Sequence, residues 1–176
     1  VVNEIVQYNN NENDADHREI FVMEHTRSVS LMKLANEGFR KILVAQKAGG
    51  DNTVRIVGAH GFNPEITLSV KEGFTGTIVL QNASFTSERD LPCIDCGENT
   101  DLHIVLEGRN VCKVGGIKVP ESSRVTFTGN GDMKITVNGS MYYGIGNDVK
   151  SKHGVLKFKQ DGAIAIDANG VDGVAI

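Results

Sequence analysis

At 176 residues the chain is long enough for one domain, or for one compact repeat array with a small cap, around a single hydrophobic core. Its net charge of −4, from 18 basic and 22 acidic residues with no run of lysine or arginine, gives no electrostatic footprint for nucleic acid or an anionic membrane surface. No stretch approaches the roughly 20 apolar residues that span a bilayer, and 20 glycines, three prolines, no tryptophan and 6% aromatics suit closely stacked strands better than a pocket that engulfs its ligand.

The first fifty residues open at Val1 with no recognisable leader pattern, and Asn9 to Asp14 form a polar run. Ser30 to Gly38 then read as a short amphipathic helix, with Leu31, Leu34 and Ala35 on one face, Ser30 as the cap and Gly38 as the stop. We expect residues 1–50 to be an N-terminal cap or leader segment and residues 51–176 to be a repeat array. A helix at the start of such an array covers an otherwise open strand edge.

From about residue 54, short runs of alternating apolar and polar residues recur between Gly, Asn and Asp: Val54-Arg55-Ile56, Ile66 to Val70, Ile78 to Leu80, Ile104 to Leu106, Val125 to Phe127, Ile135 to Val137, Leu156 to Phe158 and Ala163 to Ile166. This is the period-two signal of strands, and no segment between them has helical spacing, which excludes a doubly wound α/β fold. Ile42, Val54, Ile66 and Ile78 step by 12, while Ile94, Ile117, Ile145 and Val174 follow a longer unit with steps of 23, 28 and 29. Ile135 to Ile164 and Val137 to Ile166 repeat the 29.

Three strands per recurring unit predict an all-β chain wound as a right-handed parallel β-helix, three strands per coil. Ile104, Leu106, Ile117, Val119, Val125, Phe127, Ile135, Val137, Leu156, Phe158, Ile164 and Ile166 are the expected inward positions, with Ile135 stacked on Ile164. Val174-Ala175-Ile176 ends the chain in what reads as mid-strand. The expectation is therefore a segment of a longer protein, truncated at its C-terminus and able to self-associate through its last coil.

The stretches Gly76 to Phe85, Asp101 to Gly108 and Ser123 to Asp132 resemble β-helix repeat modules of bacterial cell-surface proteins labelled carbohydrate-binding. The resemblance covers about residues 70–176 and leaves out the first fifty. It implies the β-helix fold, an extracellular or cell-surface location and a polysaccharide or cell-wall glycan as partner. No residue matches a family binding motif that transfers.

Three groups of residues invite chemistry. Cys93 and Cys96 form a CxxC pair with Cys112 as an odd third; a redox motif wants a helix N-terminus and a zinc site two more ligands such as Cys112 and His103, so structural thiols are the favoured reading, ahead of a disulfide to Cys112. Asp132, Asp148, Asp161, Asp167 and Asp172 invite calcium or acid–base roles, but most fall in Gly-Asn-Asp turns, where a short side chain that bonds its own backbone accounts for the choice. Asn138 to Asp148 lengthens its coil and must bulge from it. It gathers Tyr142, Tyr143, Asn147 and Asp148, an aromatic and amide–carboxylate set that suits a sugar ring. The expected function is a non-catalytic glycan-binding, adhesive or scaffold module without cofactor or metal; the alternative is a fragment of a β-helix polysaccharide lyase or glycoside hydrolase.

Overall fold

The computed structural model describes residues 20–23, 27–46, 52–138, 143–169 and 173–176. Along them run β1 (Ile20–Met23), β2 (Ser28–Ser30), α1 (Leu31–Asn36), β3 (Lys41–Val44), β4 (Thr53–Val57), β5 (Thr67–Val70), β6 (Thr75–Gln81), β7 (Ser84–Thr86), β8 (Ile94–Cys96), β9 (Asp101–Glu107), β10 (Arg109–Val114), β11 (Ile117–Lys118), β12 (Arg124–Gly129), β13 (Asp132–Val137), β14 (Ile145–Gly146), β15 (Val155–Phe158) and β16 (Ile164–Ala168).

These strands form three sheets. The first has the order β1-β3-β5-β8-β11-β14, the second β2-β4-β6-β9-β12-β15 and the third β7-β10-β13-β16. Every pairing between these strands is parallel. Successive strands belong to different sheets and each pairs with a strand one circuit away, so the chain is a parallel β-helix with three faces, as its spacing predicts.

The period-two pattern sets the inside. In β9, Leu102, Ile104 and Leu106 are buried and the residues between them are not. The same alternation buries Val125 and Phe127 in β12, and Met133, Ile135 and Val137 in β13, joining them in one continuous core. Of the expected inward residues, Ile104, Leu106, Ile117, Val119, Val125, Phe127, Ile135 and Val137 have no exposed surface. Leu156, Ile164 and Ile166, on the outermost coil, pack against that core while partly exposed, and Phe158 stacks on Phe127 with ring centroids 5.4 Å apart.

The register agrees with the sequence in one place and departs from it in another. Ile117 pairs with Ile94 on one side and Ile145 on the other. Ile135, however, lies beside Ile166, not Ile164, and Val137 beside Ala168. The last coil is thus longer than the spacing of 29 implied, and Tyr143 bridges to Val174 by the same step of 31. Because side chains alternate with period two, a slip of two residues leaves the same residues facing inward, so hydrophobic pattern alone does not distinguish the two registers.

The 12-residue ladder also acquires a structural meaning. Ile42 is in the first sheet, Val54 in the second, Ile66 immediately before β5 of the first and Ile78 in the second, with Val54 paired to Ile78. Each step of 12 changes face; two steps complete one circuit in the second sheet, where Val54 meets Ile78, whereas in the first Ile42 meets Leu68 after 26 residues, and these early coils carry no strand in the third sheet. By chain position, α1 replaces that strand in one coil and residues 58–66 replace it in the next.

The segment expected as a cap therefore contributes strands of its own. β1 pairs with β3, β3 with β5 and β2 with β4, so the coils extend back through residues 41–44 and 28–30 to Ile20. The short helix is where the sequence put it. Ser30 accepts a hydrogen bond from the Lys33 amide at 3.3 Å, and beyond Glu37 the chain turns through Gly38 at φ +86°. The amides of Gly38 and Phe39 return to the carbonyls of Ala35 and Leu34, the paired bonds of a Schellman ending.

Where the second sheet turns into the third, backbones of neighbouring coils are braced by asparagine. Asn110 is buried; its Oδ1 accepts from the Ala83 amide at 2.8 Å, and its Nδ2 donates to the carbonyls of Glu107 and Asp132, both at 3.2 Å. One side chain thus ties three successive coils. Gly108 sits beside it at φ +66°, where a Cβ would come within 2.1 Å of the Asn82 amide oxygen.

Asn110→Ala leaves one amide and two carbonyls without this partner. Since a buried group stripped of its hydrogen bond costs about 1–3 kcal/mol, the variant is expected to lose at least about 2 kcal/mol of unfolding free energy. Urea titration of the two proteins checks this; coincident midpoints would show that the brace is dispensable.

Candidate functional site

Of the four residues singled out from the sequence, Tyr142 lies outside the described residues. Tyr143 is only 6% exposed, and its ring lies against the backbone of Gly146, where a Cβ would meet Tyr143 Cβ at 3.1 Å and Cγ at 3.3 Å. Its hydroxyl oxygen is buried with no hydrogen-bond partner among the described residues. Burial raises its pKa above the ordinary phenol value, and the charges of Asp148 and Asp95 add to the effect. Tyr143 is therefore a packing residue at the edge of the core and presents no free ring face.

Asn147 and Asp148 lie in the turn after β14. The Asn147 side chain donates to the Lys152 carbonyl at 2.9 Å and accepts from the Asp148 amide at 2.8 Å, which shapes that turn. The Asp148 carboxylate meets Lys118 Nζ at 2.7 Å on the outer face of the first sheet, and this hydrogen bond raises the Lys118 pKa. Lys118 in turn is in register with Asp95 of β8. Partial burial raises the Asp95 pKa against the opposing pull of Lys118 and Lys41. An acid–base–acid set of Asp95, Lys118 and Asp148 thus stands outside the first sheet. The equivalence of Ile94 with Ile117 carried the signal for it, since the next residues are Asp95 and Lys118.

The turns from the first sheet to the second stack beside this set and enclose a groove of about 650 Å³ lined by Glu98, Glu121, Ser122, Asn147, Lys150 and Lys152, with Ser151. Turn-to-turn hydrogen bonds build it. Ser122 Oγ accepts from the Asn99 amide at 2.9 Å and donates to the Glu98 carboxylate. Ser123 Oγ accepts from the Thr100 amide at 3.0 Å and donates to the Gly97 carbonyl at 2.8 Å. Asn147 alone of the four chosen residues lines this groove; the others that do so share no motif, and only the stacking of three turns brings them together.

The remaining candidates are dispersed. Asp132 begins β13 of the third sheet, and its Oδ1 caps the Ala163 amide at 2.8 Å; Asp167 lies in β16 of that sheet, and Asp172 is outside the described residues. Cys93, Cys96 and Cys112 are free, buried thiols. Burial, with the charge of Asp95, pushes Cys96 up to about 12. His103 shares a 2.7 Å hydrogen bond with Thr128 on the second sheet. Among the described residues, no three His, Cys, Asp or Glu side chains converge as a metal site.

Tyr143→Ala is expected to lower stability by about 3 kcal/mol, as loss of a buried aromatic ring does, whereas Tyr143→Phe removes only a hydroxyl without a partner and is close to neutral at pH 7. At alkaline pH the two diverge. A phenol whose pKa is raised on folding binds its proton more tightly in the native state, so its contribution is whole below the unfolded value of about 10 and is lost as pH climbs beyond it. Melting curves between about pH 8 and 11 should show the wild type falling more steeply than Tyr143→Phe; parallel curves would mean that Tyr143 titrates alike in both states.

Comparison of the chain with models of protein families, with curated proteins and with solved structures finds no match.

Proposed function

We propose that the chain is a non-catalytic glycan-binding module of a bacterial surface or secreted protein, and that a sugar strand lies in the groove between Glu98, Glu121, Ser122, Asn147, Lys150 and Lys152. The observation that supports this reading is the lining itself. It combines carboxylate, hydroxyl, amide and ammonium groups from three successive turns, a set that donates to and accepts from the hydroxyls of a polyhydroxylated ligand. Its volume falls within the roughly 300–1,000 Å³ typical of small-ligand sites.

Rigidity favours the same reading. Ser122 is already held by bonds to the neighbouring turn and Asn147 by bonds within its own, so a ligand meets groups whose ordering is complete before it arrives. The turns are anchored to sheets that cannot shift without breaking the coil-to-coil pairing. Tyr143 packs on Gly146, next to Asn147 in the chain, and the sugar contacts fall to Asn147 and the flanking lysines.

Isothermal titration with neutral and acidic oligosaccharides, chosen from a glycan array, tests the proposal. Lys150→Ala with Lys152→Ala is expected to weaken binding at least about tenfold, the loss of about 1.4 kcal/mol of contact. Melting should hardly change, because the bond from Asn147 goes to the Lys152 backbone. Undiminished binding by the double variant would remove the groove from consideration. Release of unsaturated or reducing-end sugar would assign the chain to polysaccharide cleavage instead, and silence in both assays would leave an adhesive or spacing scaffold.

A further inference from the structure

The corner between the third and first sheets brings together two of the three thiols. Cys112 is buried in β10, in register with Phe85 of β7 and Ile135 of β13. Cys93, immediately before β8, directs its Sγ to the Phe85 carbonyl at 3.0 Å and to the Lys113 carbonyl at 3.3 Å. Phe85 is the in-register neighbour of Cys112 and Lys113 is the residue after it, so the Cys93 sulfur sits against the Cys112 position. Cys96, despite the CxxC spacing, belongs elsewhere: it is in register with Val70 inside the first sheet.

We propose that Cys93 and Cys112 form a dithiol site that a low-molecular-weight disulfide oxidises to an intramolecular bond, joining β10 of the third sheet to the start of β8 in the first. Cys93 is the attacking sulfur. The adjoining Cys112 thiol holds it below the ordinary thiol range against the effect of burial, with contacts to Lys113 and Ser87 adding to this, whereas Cys112 is pushed well above that range by Cys93 and by burial. A thiolate is the nucleophile in such exchange.

The chemistry balances with glutathione disulfide as oxidant. Cys93, having given up its proton, attacks one glutathione sulfur; a mixed disulfide forms and one glutathione thiolate leaves, taking up a proton. Cys112 then loses its proton and attacks the Cys93 sulfur, and the second glutathione leaves as its thiol. Two protein S–H bonds become one S–S bond, and the two electrons and two protons end on the glutathiones. Ser87, which adjoins Cys93, lines a cavity of about 270 Å³ together with Glu88 and Leu91.

The test exposes the protein to glutathione disulfide in two arms, folded and during refolding from denaturant. Remaining thiols are then alkylated in denaturant without reductant and the peptides mapped. The expected result is a fall from three alkylated cysteines to one, Cys96, with the Cys93 and Cys112 peptides linked. Cys96→Ser keeps the link; Cys112→Ser loses it and leaves glutathione on Cys93. Three alkylated thiols in both arms, or a link that includes Cys96, overturns the proposal. Mapping of the wild type alone decides between these results if a variant fails to fold.

Discussion

Each coil of this chain obtains its backbone hydrogen bonds from the coils on either side of it. Two-residue strands such as β11 and β14 have no standing alone; they persist because the Ile117 amide reaches the Gly144 carbonyl at 2.8 Å and the Val119 amide the Gly146 carbonyl at 2.6 Å. That dependence forces neighbouring backbones together at the corners as well as along the sheets. A Cβ on Gly116 would fall 2.3 Å from the Gly144 carbonyl oxygen, so the corner closes only around a residue with no side chain. The inward Ile, Leu and Val residues then fill whatever volume the corners leave.

Register has a second consequence on the outside. Residues one coil apart become lateral neighbours, so charges far apart in sequence form ladders: Arg55 reaches Gln81 at 2.9 Å and Glu107 at 2.6 Å across the second sheet, and Lys118 stands between Asp95 and Asp148 on the first. On half-exposed surface such pairs add little stability, on the order of 0–1 kcal/mol each. Their value lies in position. Asp148 is engaged by Lys118, while Asn147 shapes its own turn and lines the adjoining groove.

The division between what was legible in the sequence and what was not follows the same physics. Alternation along Leu102 to Leu106 or Val125 to Phe127 announces a strand with one buried face, and recurring Ile94, Ile117 and Ile145 announce the stacking, so fold and core could be read directly. The pairing of Ile135 with Ile166 could not, because slips by two residues preserve the pattern. The early strands β1 and β2 escaped notice beside a polar run and a helix, and β3 showed only through Ile42, although the burial of all three alternates like the rest. Tyr143 looked like a ligand platform because a tyrosine in a long loop carries the same letters whether its ring covers Gly146 or faces solvent. The groove was the least legible, since its members meet only through the stacking of three turns that share no motif.

Coil length varies far more at two of the corners than at the third, and the candidate chemistry sits at those two. From the second sheet to the third, Ile78 to Phe85 is seven residues, and Ile104 to Cys112, Phe127 to Ile135 and Phe158 to Ile166 are eight each; this is the corner that Asn110 braces, and its length varies least. From the third sheet to the first, the equivalent distances are nine from Phe85 to Ile94, five from Cys112 to Ile117 and ten from Ile135 to Ile145. From the first to the second they are eight from Ile94 to Leu102, eight from Ile117 to Val125 and eleven from Ile145 to Leu156. The larger length changes fall at the other two corners, and loops that the ladder does not constrain are where a scaffold can acquire binding groups without cost to its core. The thiol pair and the polar groove lie at these two permissive corners, while the braced corner keeps the coils in step.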